Sequence, residues 1–115
     1  MTILGLLCAA PSQAAAPGIT GPTFNLTAQP AHLSQPDGAS IYSWGYGCAT
    51  QLASGIFAPA SIVGAFCPAM QLPGPTLIVN QGDPVQISLK NNLPKAAGNT
   101  SILFPGFTVT AIGGV

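Results

Sequence analysis

The sequence predicts an all-β domain, and three observations carry that expectation. Apolar and polar residues alternate in several short runs, turn residues punctuate the chain between them, and no stretch shows the period of an ordinary helix. At 115 residues the chain is long enough for one domain with its own core, and too short for two.

The elements follow in chain order. Ile3 to Ala10 is a short apolar run, and Ser12-Gln13-Ala14 followed by Ala15 puts small residues where a signal peptidase cuts. Residues 1–14 are therefore read as a signal peptide, and the protein as exported to the periplasm or the extracellular space. The run is too short for a membrane span, which needs about 20 apolar residues. Leu7, directly before Cys8, is not the small residue that a lipid-anchor signal carries there. Residues 15–22 are Gly- and Pro-rich and read as a flexible lead-in, so the domain itself is expected over residues 23–115.

Phe24, Leu26 and Ala28 alternate with Asn25, Thr27 and Gln29, which predicts a first strand. Pro36-Asp37-Gly38 is a turn, because proline fixes φ and glycine accepts a positive one. Ser40 to Tyr46 is aromatic and strand-like. Gly47 to Leu72 shows no clean period and reads as an irregular insertion with a short strand at Ser61 to Phe66. Leu77 to Val79 reads as a buried strand followed by a turn at Gly82-Asp83. Val85, Ile87 and Leu89 alternate with Gln86, Ser88 and Lys90, the signature of a strand with one dry and one wet face. Phe107, Val109 and Ala111 alternate with Thr108 and Thr110, which predicts one more strand after the Pro105-Gly106 break.

The stretch PGPTLIVNQGDPVQISLKNNLPKAAGNTSILFPGF, from Pro73 to Phe107, resembles the first cupredoxin domain of a multicopper oxidase. That family follows a Pro-Gly-Pro-Thr turn with a strand, a Gly-Asp turn, a second strand ending Asn-Asn-Leu-Pro, and a His-x-His-Gly motif that ligates copper. Here Leu103 and Pro105 occupy the two histidine positions, and Gly106 keeps the glycine. Thr23 to Tyr46, with its Pro-Asp-Gly turn and Trp-Gly-Tyr strand end, is similar to the opening of the same domain. The resemblance implies an antiparallel Greek-key β-sandwich of the cupredoxin type, incomplete at the C-terminus. It implies copper as a cofactor of the parent family and the remaining cupredoxin domains as partners. It also implies that this chain holds no copper itself and acts as a structural or interdomain module, whether as a gene fragment or as a degenerate domain.

Composition narrows the function classes. Charged residues make up 3% of the chain, Glu and Arg are absent, and the net charge is zero. Nucleic-acid binding rests on phosphate neutralisation by Lys and Arg, and is excluded as an expectation. Two explanations fit so low a charge: a surface of Ser, Thr, Asn and Gln, or a surface that packs against other domains that this chain lacks. The missing closing strands implied by the resemblance should leave an open sheet edge, so the chain alone is expected to self-associate, and a non-enzymatic binding module using a sheet edge or the Tyr42/Trp44/Tyr46 row is the alternative reading.

The candidate sites are few. Past the leader, Cys48 and Cys67 form an even pair in an exported chain, and a disulfide is the simplest reading. Free buried thiols, or a bond from one of them to another chain, are the alternatives. A blue-copper centre needs two His, a Cys thiolate and usually a Met, whereas His32 is the sole histidine, so neither it nor Met70 beside Cys67 makes a metal site. His32 reads as a solvated surface residue. No Gly-x-Ser-x-Gly elbow accompanies His32 and Asp37, and Asp37 and Asp83 are explained by their turns, so no catalytic residues are assigned. Tyr42, Trp44 and Tyr46 share one strand face and form either packing or a stacking platform. Asn25-Leu26-Thr27 and Asn99-Thr100-Ser101 match the glycosylation sequon, a pattern common by chance.

Overall fold

The computed structural model describes residues 17–52, 55–59 and 66–113, and among them the protein is all-β. Its strands are β1 (Gly18–Thr20), β2 (Thr23–Ser34), β3 (Ser40–Cys48), β4 (Phe57–Ala58), β5 (Leu77–Ile78) and β6 (Gln86–Asn91), followed by one 3-10 turn at Lys95–Ala97. They form two three-stranded sheets, ordered β4-β1-β5 and β3-β2-β6.

The larger sheet is built on β2. The alternation of Phe24, Leu26 and Ala28 puts these side chains on one face, where all three are buried. On one side β2 pairs with β3 as an antiparallel hairpin, from Leu26 opposite Cys48 to Ser34 opposite Ser40. The loop follows its turn chemistry: Gly38 takes φ 85°, and Asp37 Oδ1 accepts the Ala39 amide at 2.9 Å. On the other side β6 runs parallel to β2, from Thr23 opposite Gln86 to Ala28 opposite Asn91. Ile87 and Leu89 thereby join the buried face of β2, as the period-two reading of that segment requires.

The two sheets meet through a shared core. Ile19 from the smaller sheet packs with Phe24, Leu26 and Cys48 from the larger, and Leu77, Ile87, Leu89 and Ile102 close around them. Gly21 makes the crossover between sheets possible, since a Cβ there would stand 2.2 Å from the Phe24 ring. A core drawn from two facing sheets is consistent with a β-sandwich.

Four expectations are corrected. The lead-in forms β1 at Gly18–Thr20, because Gly18 lets the backbone close on Thr76 and Ile19, 3% exposed, reaches the core. Gly and Pro there mark a close approach of the backbone, not mobility. The sheets are mixed, each with one antiparallel and one parallel pair, and not antiparallel throughout. Leu77 and Ile78 are half-buried and Val79 is exposed, since β5 lies at the edge of a small sheet with β1 as its neighbour. Residues 107–111 form no strand, because alternation specifies a face while a strand also needs a neighbour to pair with. Of the short strand expected at Ser61 to Phe66, only exposed Phe66 lies within the described residues.

Candidate interaction surface

The apolar face of the larger sheet runs farther than its cover. Over the inner half of the hairpin, Phe24, Leu26, Ala28 and Cys48 are buried against the smaller sheet and the loops. Tyr46 stands at the border, its hydroxyl 3.1 Å from Thr100 Oγ1 and donating to the Ser101 carbonyl at 3.4 Å. Beyond it the same face carries the cross-strand pairs Pro30–Trp44 and His32–Tyr42. Trp44 is 46% and Tyr42 51% exposed. The His32 and Tyr42 rings lie 5.2 Å apart, tilted by 52°. The aromatic row is thus a core face at Tyr46 and an open platform at Trp44 and Tyr42.

The hairpin edges change character at the same place. Cys48 N donates to the Pro68 carbonyl at 3.0 Å, and Gln71 N donates to the Tyr46 carbonyl at 3.1 Å. The main-chain groups of Tyr46 and Cys48 therefore point away from β2, and strand periodicity turns those of Ser40, Tyr42 and Trp44 the same way. The contact with residues 68–71 is close because Gly45 and Gly47 have no side chains: a Cβ on Gly47 would sit 2.0 Å from the Pro68 oxygen. Among the described residues, no backbone group bonds to the outer edge of β3 between Ser40 and Trp44. On the opposite edge, β6 ends beside Ala28, so among the described residues Pro30, His32 and Ser34 have no neighbour there either.

The residues singled out in the sequence take definite places. Cys48 and Cys67 are joined by a disulfide, with Cα atoms 5.5 Å apart, and the bridge ties the irregular middle to the end of β3. Such a bridge fits an oxidising compartment. Leu103 is 84% exposed, and Pro105 stands in the turn that the Phe107 amide closes on the Phe104 carbonyl at 3.3 Å. His32 lies on the hairpin, a part of the fold to which neither position is bonded. Among the described residues no three of His, Cys, Asp and Glu come together as a metal-binding group. Asp37 and Asp83 serve separate turns, Asp83 accepting from Asn80 Nδ2 at 3.1 Å.

A cavity of about 240 Å³ opens between the sheets beside Ile19, Phe24, Cys48, Leu52 and Ile56. Its lining is apolar apart from Thr20, Thr23 and Asn25, and the Thr20 hydroxyl is already engaged with the Ile56 carbonyl at 2.7 Å. Among the described residues, none that lines it carries a titratable side chain. The platform with its bare edge is the more distinctive feature: sequence reasoning offered a sheet edge or the aromatic row as alternative binding surfaces, without showing which edge or that the two adjoin. Compared with known proteins, the chain matches no family model, no curated protein and no solved structure.

Proposed function

We propose that this chain is an exported, cupredoxin-like structural module of a multicopper-oxidase-type protein, with no copper ligands of its own and with its outer hairpin as a packing surface for the other domains. The single observation that carries the reading is the continuation of a buried sheet face into bare Trp44 and Tyr42. Large aromatic side chains at an open sheet end are surface that another folded unit is suited to cover. The Pro73 to Phe107 resemblance supplies the family, and the absence of imidazole at Leu103 and Pro105 supplies the structural role. The disulfide agrees with export.

Reading the coding frame on both sides of the chain tests this. A continuous frame with His-x-His and His-Cys-His motifs is the expected result, and flanking sequence with neither motif would overturn the oxidase assignment. A second reading, a non-enzymatic binding module, is favoured by the exposed Tyr42 ring beside His32 and by the open β3 edge, which suit stacking and strand addition.

A further inference from the structure

We infer that the outer edge of β3, from Ser40 to Trp44, accepts a strand, and that the strand is the Phe107–Ile112 segment of a second copy of this chain. The inference rests on the outer hairpin being a packing surface and is independent of any copper-oxidase lineage. It pairs two elements that each lack what the other has.

The acceptor is selected by backbone chemistry. The hairpin offers two open edges, but the β2 edge includes Pro30, which has no N–H to give. Ser40, Tyr42 and Trp44 keep both main-chain groups, so the β3 edge is the better template. Edges are commonly blunted by lysine, and Lys90 and Lys95 both lie outside this one.

The donor has a strand's pattern and no partner. Phe107, Val109 and Ala111 alternate with Thr108 and Thr110, and Phe107 is 77% and Val109 57% exposed. Among the described residues, no backbone bond reaches residues 108–113. The turn at Pro105-Gly106 lies between Ser101, held at Tyr46, and this segment, which lies off its own β3 edge and is free for another. Docked with Phe107, Val109 and Ala111 toward the Trp44 and Tyr42 rings, the segment extends the apolar face and leaves its threonines on the other side. Neither element carries a charge that docking must desolvate, and a net charge of zero sets up no repulsion between copies.

The area suffices. An aromatic side chain carries about 150–250 Å², so the exposed parts of Tyr42, Trp44 and Phe107 together amount to roughly 350 Å² per docked strand. Two reciprocal exchanges give roughly 700 Å² from these rings alone. Val109, Ile112, Ile41 and the strand backbones add the rest of the ~1,000 Å² that a specific interface needs.

Light scattering of the full chain, with hydrogen exchange at the Tyr42 and Trp44 amides, tests the exchange. The expected result is a dimer in which both amides are protected. Val109→Pro removes one donor N–H from each of two strands and should raise the dissociation constant roughly thirtyfold, with loss of that protection. Because Val109 lies outside the core, its replacement leaves the fold intact. As a second check, Val109→Pro and Tyr42→Pro chains should associate with each other more tightly than either does with itself, since the mixture retains one intact donor and one intact edge. Protected amides in a monomer would mean that the chain closes its own edge, and a dimer indifferent to Val109→Pro would mean another interface; either overturns the inference. A monomer with unprotected amides also overturns it, while leaving the hairpin bare for other domains.

Discussion

Tyr46 and Thr100 meet at 3.1 Å through their hydroxyls, and this contact marks where the covered part of the larger sheet ends. On the inner side of Tyr46 the hairpin is core. On the outer side it is open. The Tyr46 hydroxyl reaches Thr100 and Ser101, Asn91 Nδ2 donates to the Gly98 carbonyl, and Ile102 packs on the core, so these contacts tie the segment following the 3-10 turn to the end of the buried face.

Tyr46→Phe should therefore loosen that segment with little harm to the hairpin. Removing a partly buried hydroxyl with protein partners costs about 1 kcal/mol. A urea titration should show that loss, accompanied by faster proteolysis within residues 98–104. An unchanged midpoint would mean that Ile102, packed on the core, holds the segment without help from Tyr46.

Gly47→Ala and Gly38→Ala should separate two reasons for glycine. At Gly47 an added methyl collides with the Pro68 carbonyl, an overpacking cost of roughly 1–3 kcal/mol, and displaces the strand end that carries Cys48. At Gly38 the space is open, and the cost is the left-handed backbone at φ +85, about 1 kcal/mol. Chemical denaturation should rank Gly47→Ala as the more damaging, and thiol titration should find incomplete oxidation in that variant alone. Equal losses would show that the backbone around residue 68 yields freely.

The strands that were legible in the sequence are those in which alternation and tertiary cover agree. Phe24-Leu26-Ala28 and Ile87-Leu89 show their faces in the sequence because one face is apolar and packs in the core, while the other is polar and meets solvent except at Thr27, which is buried with its hydroxyl bonded to Lys90 and Asn92. β1 was hidden by its own composition: Gly18 and Pro22 read as a loop, yet Gly18 is what admits the Thr76 carbonyl. Residues 107–111 failed in the opposite sense, since they carry the pattern without a strand neighbour among the described residues. The Tyr42–Trp44 row was visible as a shared face, but its exposure depends on where β6 and residues 68–71 stop, which no local pattern encodes.

Replacing Cys48 and Cys67 by serine should cost on the order of 3 kcal/mol by the chain-entropy account of a loop this long. The bridge ties the β3 end to the segment that covers Gly45 and Gly47. The double variant should therefore also expose to exchange the amide at position 48, which donates to the Pro68 carbonyl, while β2–β6 pairing persists. A loss well under 1 kcal/mol in denaturant would mean that the Cys48 N to Pro68 carbonyl bond and its neighbours already hold the segment in place.

Copper titration of the purified chain should give no tight stoichiometric site and no oxidase turnover with phenolic or metal-ion substrates. The argument is one of ligand supply. A blue-copper centre takes two imidazoles and a thiolate, whereas His32 is the sole histidine and the sulfurs of Cys48 and Cys67 are bonded to each other. Leu103→His together with Pro105→His would restore the family's pair on the exposed loop around Gly106, far short of a cluster's ligands, so the expected outcome is weak copper binding without catalysis. Weak binding follows from exposure as well as from number: Leu103 is 84% exposed, so no buried shell fixes the orientation of an imidazole there. Absorption spectroscopy during the titration decides the matter. An intense thiolate-to-copper band at one equivalent in the chain without residues 1–14, which include Cys8, would require an open Cys48–Cys67 bridge and a cysteine ligand, and the structural role proposed for this protein would then be wrong.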